Sequence, residues 1–128
     1  MKFCVIKAII LICFVLISCA SHQPSWVLNY HIPGKVCAVG TSQAHINGFA
    51  YQQATAISRA IQQIAMQKGI KVDTTVESYL KGTKDNACSH LSVYTVQSTQ
   101  GQKVVATVRD TWLDKQNQVL YVWMVSDK

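Results

Sequence analysis

The chain has 128 residues, with 12 Lys and Arg against 6 Asp and Glu, a formal charge of +6 and 49% hydrophobic residues. That length allows one domain around one modest core and excludes a multidomain architecture. The positive excess is spread as single residues (Lys35, Lys68, Lys71, Lys81, Lys84 and Lys103 among them) with no basic run or basic helix face, so the expectation is a solvated surface and no nucleic-acid partner.

The N-terminus reads as an export signal. Met1 to Lys7 carries two positive charges, Lys2 and Lys7, and Ala8 to Ile17 (AIILICFVLI) is unbroken hydrocarbon of ten residues. A spanning helix needs about 20, so the run has the length of a signal-peptide apolar segment. Leu16-Ile17-Ser18-Cys19 follows directly and resembles the bacterial lipobox, in which the cysteine thiol is acylated before the peptide is cut on its N-terminal side. Several acyl chains at about 0.8 kcal/mol per buried methylene anchor a protein far better than one. Cys19 is therefore the expected lipidation site, residues 1–18 the expected signal, and covalent lipid the only expected attached group. Ala20 stands where aspartate would act as an inner-membrane retention signal, which places the expected anchor in the outer membrane, on its periplasmic face.

Removing residues 1–18 leaves 110 residues, with 10 Lys and Arg against 6 acids. Cys4 and Cys13 go with the signal and Cys19 takes lipid, so Cys37 and Cys88 remain as a pair in an oxidising compartment. A bridge closing that loop of about 50 residues would contribute roughly 4 kcal/mol if unstrained. The competing readings are two free buried thiols, and a metal or thiol site using Cys88 and His90 that lacks a second close-spaced pair to complete four ligands.

Residues 19–34 read as a lipidated tether holding both prolines and ending where Trp26 and Val27 dock on a single domain, residues 35–128. Lys35 to Gly40 predicts a short strand ended by glycine. Asn47 to Lys68 predicts a helix with one apolar stripe, Ala50, Ala54, Ile57, Ile61, Ile64 and Ala65, passing into Lys68 with Gly69 as its stop. Its other face (Gln52, Gln53, Arg59, Gln62, Gln63, Gln67) is polar and nearly uncharged. Ile70–Leu80, Leu91–Ser98, Lys103–Leu113 and Gln118–Val125 alternate as strands, with turns at Lys81–Asn86, Thr99–Gln102 and Asp114–Asn117. The expected fold is α+β: one long helix packed on an antiparallel sheet, in the order β-α-β-β-β with a further β. The final strand is uncharged from Gln118 to Val125 and apolar on both faces, so it is either central or covered by another chain.

Pro24-Ser25-Trp26-Val27, Ala38-Val39-Gly40-Thr41-Ser42, the helix residues Ala50, Ala54 and Arg59-Ala60, and Trp112-Leu113-Asp114 with Tyr121-Val122-Trp123 together resemble the family of small outer-membrane lipoproteins that includes the flagellar lipoprotein FlgP. Where that family's closing turn usually carries glycine, this chain has Gln116-Asn117-Gln118. The resemblance implies a non-enzymatic, lipid-anchored building block of periplasmic rings or disks, a homo-oligomer that also meets other subunits of an envelope complex, flagellar or secretory.

No catalytic grouping emerges from the residues. His22, His31, His45 and His90 are dispersed, the acids are unpaired in motifs, and Gly40-Thr41-Ser42 lacks the second glycine and lysine of a phosphate loop. Arg109-Asp110 reads as a cross-strand charge pair. Trp26, Trp112, Tyr121 and Trp123 are candidate interface anchors, and the last three form an alternative glycan-stacking patch. The expectation is thus a structural assembly lipoprotein without catalytic residues, metal or cofactor. The alternative is an accessory module that binds peptidoglycan or another outer-membrane protein.

Overall fold

The computed structural model describes residues 22–73, 93–98 and 100–128. A short 3-10 helix, Ser25–Val27, precedes strand β1 (Lys35–Gln43), helix α1 (Phe49–Gln67), and strands β2 (Val93–Gln97), β3 (Lys103–Asp114) and β4 (Val119–Asp127). The strands form one antiparallel sheet in the order β1-β4-β3-β2, and α1 covers one of its faces, an α+β fold. The expected strand at Ile70–Leu80 is absent over Ile70–Asp73, where the chain joins no ladder, and its remainder lies outside the described residues. So do Cys19, Cys88, His90, the signal segment and the turn at Lys81–Asn86.

Alternation decides which side of each strand meets the helix. Leu120, Val122 and Met124 of β4 and Val104, Ala106 and Val108 of β3 are buried with Ile57, Ile61 and Ile64 of α1. Each of those isoleucines, fully buried, contributes about 1.5–3 kcal/mol. The uncharged last strand is central, between β1 and β3, so its two apolar faces are explained within the chain.

Gly40 does not end β1; the strand runs on to Gln43. A Cβ at Gly40 would lie 1.8 Å from the Ala56 carbonyl oxygen and 2.7 Å from the Ala60 amide nitrogen. Glycine is required because the helix backbone rests on the strand there. Ala56 and Ala60, both buried, are the small helix residues that permit this approach.

Helix α1 starts at Phe49, and Ala50, expected in the buried stripe, is exposed. Its end follows expectation: Gly69 adopts φ +68°, its amide donates to Met66 O, and the Ile70 amide donates to Ala65 O. This is the paired closure that glycine permits after a helix, with Ile70 packed against the core. Gln52, expected on the wet face, is buried and donates through Nε2 to Ser42 O (2.9 Å) and Gln118 O (3.0 Å). Arg59 donates to Thr41 O and Gln67 to Cys37 O. Helix side chains thereby occupy carbonyls of edge strand β1, which blunts that edge. Edge strand β2 has no strand on its other side among the described residues.

The turn between β3 and β4 is closed by Asp114, whose Oδ1 accepts from the Gln116 and Asn117 amides and whose Oδ2 accepts from Asn117 Nδ2. The Asn117 side chain, with these backbone amides, holds the Asp114 carboxyl below the usual carboxylate range. Gln118 then takes φ +56°, a left-handed conformation that costs a side-chain-bearing residue about 1–2 kcal/mol. Gln118→Gly is expected to stabilise the fold by about 0.5–1 kcal/mol, less than that strain because Gln118 Nε2 loses its bond to Lys115 O. Urea unfolding is the check, and a lower midpoint would refute the strain at this position.

Candidate functional site

The sheet face opposite α1 carries Lys35, Cys37, Val39 and Thr41 of β1 and Tyr121, Trp123, Val125 and Asp127 of β4 by alternation. The N-terminal segment crosses this face as a strap. Pro24, at φ −59° and ψ 142°, sets the entry to the 3-10 helix, whose amides close back on Pro24 O and Ser25 O. That turn presents Trp26 to the sheet.

Two indoles lock the strap down. The Trp26 ring stacks on Trp123 with centroids 5.7 Å apart and planes 16° from parallel, and its Nε1 donates to Asp110 Oδ2 at 2.8 Å. Trp123 Nε1 donates to Tyr30 O at 3.0 Å. Each indole therefore buries its apolar body while its N–H finds an acceptor, the condition for placing tryptophan inside. Trp26 is 8% exposed.

A β-bulge makes this clasp possible. The β3–β4 register shifts between Val108 and Asp110, so Arg109 is the extra residue and Asp110 stands opposite Trp123. Without the shift, Asp110 would follow Val108 onto the helix-facing side. Asp110 Oδ2 accepts from Trp26 Nε1 and its Oδ1 from the Thr111 amide, so its carboxylate ties the strap to the bulge. The ion pair described on this face joins Lys35 to Asp127, and Lys35 holds the Asp127 carboxyl below its ordinary range.

Of the expected interface anchors, Trp26 and Trp123 engage each other within the chain. Trp112 and Tyr121 pair across β3 and β4 with centroids 5.2 Å apart, partly exposed. Cys37 is buried at 1% exposure and bridges to no described residue. If it is joined to Cys88, alkylation in denaturant without reductant leaves both thiols unlabelled and the intact mass two protons light. Full labelling of both rejects the bridge; the denaturant matters because burial alone would protect Cys37.

His31 stacks on Tyr30 and His45 on Tyr51. Among the described residues no three His, Cys, Asp or Glu side chains gather as a metal ligand set. Comparison of the chain with protein-family models, curated proteins and solved structures finds no match. Function is therefore argued from the clasp and the faces around it. Asp110 and the bulge had no signal in the sequence, because a one-residue shift in register leaves no mark on alternation until the partner strand is known.

Proposed function

We propose that the chain is an outer-membrane lipoprotein, anchored through Cys19, that serves as a structural or assembly subunit of a periplasmic ring or disk in an envelope machine, a flagellar basal body or a secretion-system outer-membrane complex. The observation that carries this reading is the clasp. Trp26 lies seven positions after Cys19, so the open sheet face is held within about 25 Å of the anchor instead of at the end of a long loose tether. Subunits confined to one plane with a restricted bearing meet through the same surfaces, which favours closed rings over open fibres.

The central position of β4 moves the expected contact surface to β2. Its residues, Val93 to Gln97 (VYTVQ), carry no charge, and Val93 is 61% exposed. An uncharged strand at the edge of the described sheet is suited to pairing with a second chain. The half-exposed Trp112–Tyr121 pair favours the second reading, an accessory module that stacks on peptidoglycan sugars or docks on another outer-membrane protein.

Mass photometry of the lipidated protein in detergent, with its envelope complex, is the test. Closed oligomers, or copurification within a large ring-shaped complex, support the assembly reading. A monodisperse monomer that joins no complex rejects it, and retention on purified sacculi then supports the second. Cys19→Ala is expected to leave an unprocessed or soluble periplasmic protein. An intact wild-type mass beginning at Met1 or Lys2, without lipid, would remove the anchor.

A further inference from the structure

We infer that the open sheet face carries a binding groove for an anionic phospholipid of the membrane in which the chain is anchored, an inference that rests on the lipoprotein reading. A groove of about 700 Å³ lies where β1 begins and β4 ends, in the range of ligand sites. Five cations line it, Lys35, Lys68, Lys103, Arg109 and Lys128, against one acid, Asp127, which is engaged by Lys35. Between them Val105 and Val125 from the strands and Ile32 from the strap supply apolar lining, with Thr107 and Ser126 beside them. Positive charge around hydrocarbon fits an amphiphile with an anionic head, the phosphate facing the cations and the first acyl carbons lying on the valines and Ile32.

Three further features agree. Arg109 follows Lys103, Val105 and Thr107 onto the groove side of β3 by alternation, immediately before the register shift that brings Asp110 to Trp26. Among the described residues Lys103 and Arg109 have no carboxylate in ion-pair range. The strap forms the groove wall at Ile32, only 13 residues beyond Cys19, and presents Leu28 at 83% exposure. A face tied this near the bilayer, with an exposed leucine on the tying segment, has lipid as its most abundant anionic neighbour. An acidic protein segment would satisfy the cations equally, but it has no claim on the apolar lining or on proximity to the anchor.

The test is calorimetric titration of the full lipoprotein, in neutral detergent at low salt, with water-soluble dihexanoyl phosphatidylglycerol, dihexanoyl phosphatidylcholine, inorganic phosphate and a poly-glutamate peptide. Saturable binding of phosphatidylglycerol is expected, with phosphatidylcholine and phosphate at least tenfold weaker. Lys103→Glu with Arg109→Glu is expected to abolish it, Arg109→Gln to weaken it severalfold, and Lys71→Glu, outside the groove, to leave it unchanged; matched thermal melts establish that the variants fold. Equal binding of the two lipids, binding indifferent to the double substitution, or phosphate as tight as phosphatidylglycerol overturns the proposal. Preference for poly-glutamate overturns it in favour of an acidic protein partner. Because the titrated lipids are soluble, this result is independent of the mass measurement on Cys19, and either reading can fail alone.

Discussion

Gly40→Ala is expected to destabilise the fold by about 3–5 kcal/mol, the upper end for overpacking a well-packed site. The added methyl would sit 1.8 Å from Ala56 O and 2.7 Å from Ala60 N, and both obstacles are backbone, so no rotamer change relieves them. The helix must lift from the sheet, loosening the packing of Ile57 and Ile61 on β3 and β4. For a domain of this size with a typical stability of about 5–15 kcal/mol, one methyl then removes about a fifth or more of the total. Gly34→Ala is the matched control. Nothing lies within 4 Å of its Cβ position and only its φ of +80° is unfavourable, so about 1 kcal/mol is expected. Urea unfolding of both variants gives the comparison; a Gly40→Ala midpoint no lower than that of Gly34→Ala would show that the helix is not seated on the strand.

Trp26→Ala is expected to release the strap while leaving the sheet and helix folded. The substitution removes the stack on Trp123 and the bond to Asp110, and comparable truncations of buried aromatics cost about 3–5 kcal/mol. Local release of residues 22–34 limits the global loss to about 2–4 kcal/mol, because a freed strap lets water reach Asp110 and Trp123. Proteolytic cleavage within residues 22–34 should rise sharply, with the core fragment from β1 onward surviving. Trp26→Phe keeps an aromatic ring on Trp123 and loses the bond to the carboxylate, for which about 1.5–3 kcal/mol is expected. An unchanged cleavage pattern in Trp26→Ala would sink the clasp as the element that holds the N-terminal segment.

Features set by neighbouring residues were legible in the sequence. Lys68-Gly69 stops α1, Asp114 to Asn117 makes the closing turn, and the alternation of Lys103–Asp114 and Val119–Asp127 appears as paired strands. The docking of Trp26 was legible too, since a tryptophan after proline in a polar tether has no other reason to be bulky. What the sequence concealed depends on partners far along the chain. Gln52 looks like a surface residue by type, and it is inside because β1 and the turn before β4 offer it carbonyls 10 and 66 residues away. Gly40 looked like a strand end, because glycine at a close backbone approach and glycine at a stop are the same letter. The ambiguity of the last strand, central or covered, could be resolved only by knowing that β1 returns beside it.

The clasp also decides where mechanical load enters the domain. Lys35 opens an edge strand whose one ladder partner among the described residues is β4, so tension arriving there would peel β1 away from Asp127 onward, one ladder bond at a time. With Trp26 seated on Trp123 and tied to Asp110, a pull on the N-terminal segment reaches β4 and β3 first, and each of these has a strand on both flanks. The strap is therefore the first contact such a pull would load, ahead of the edge strand, and its release would give the chain slack without opening the ladder of β1.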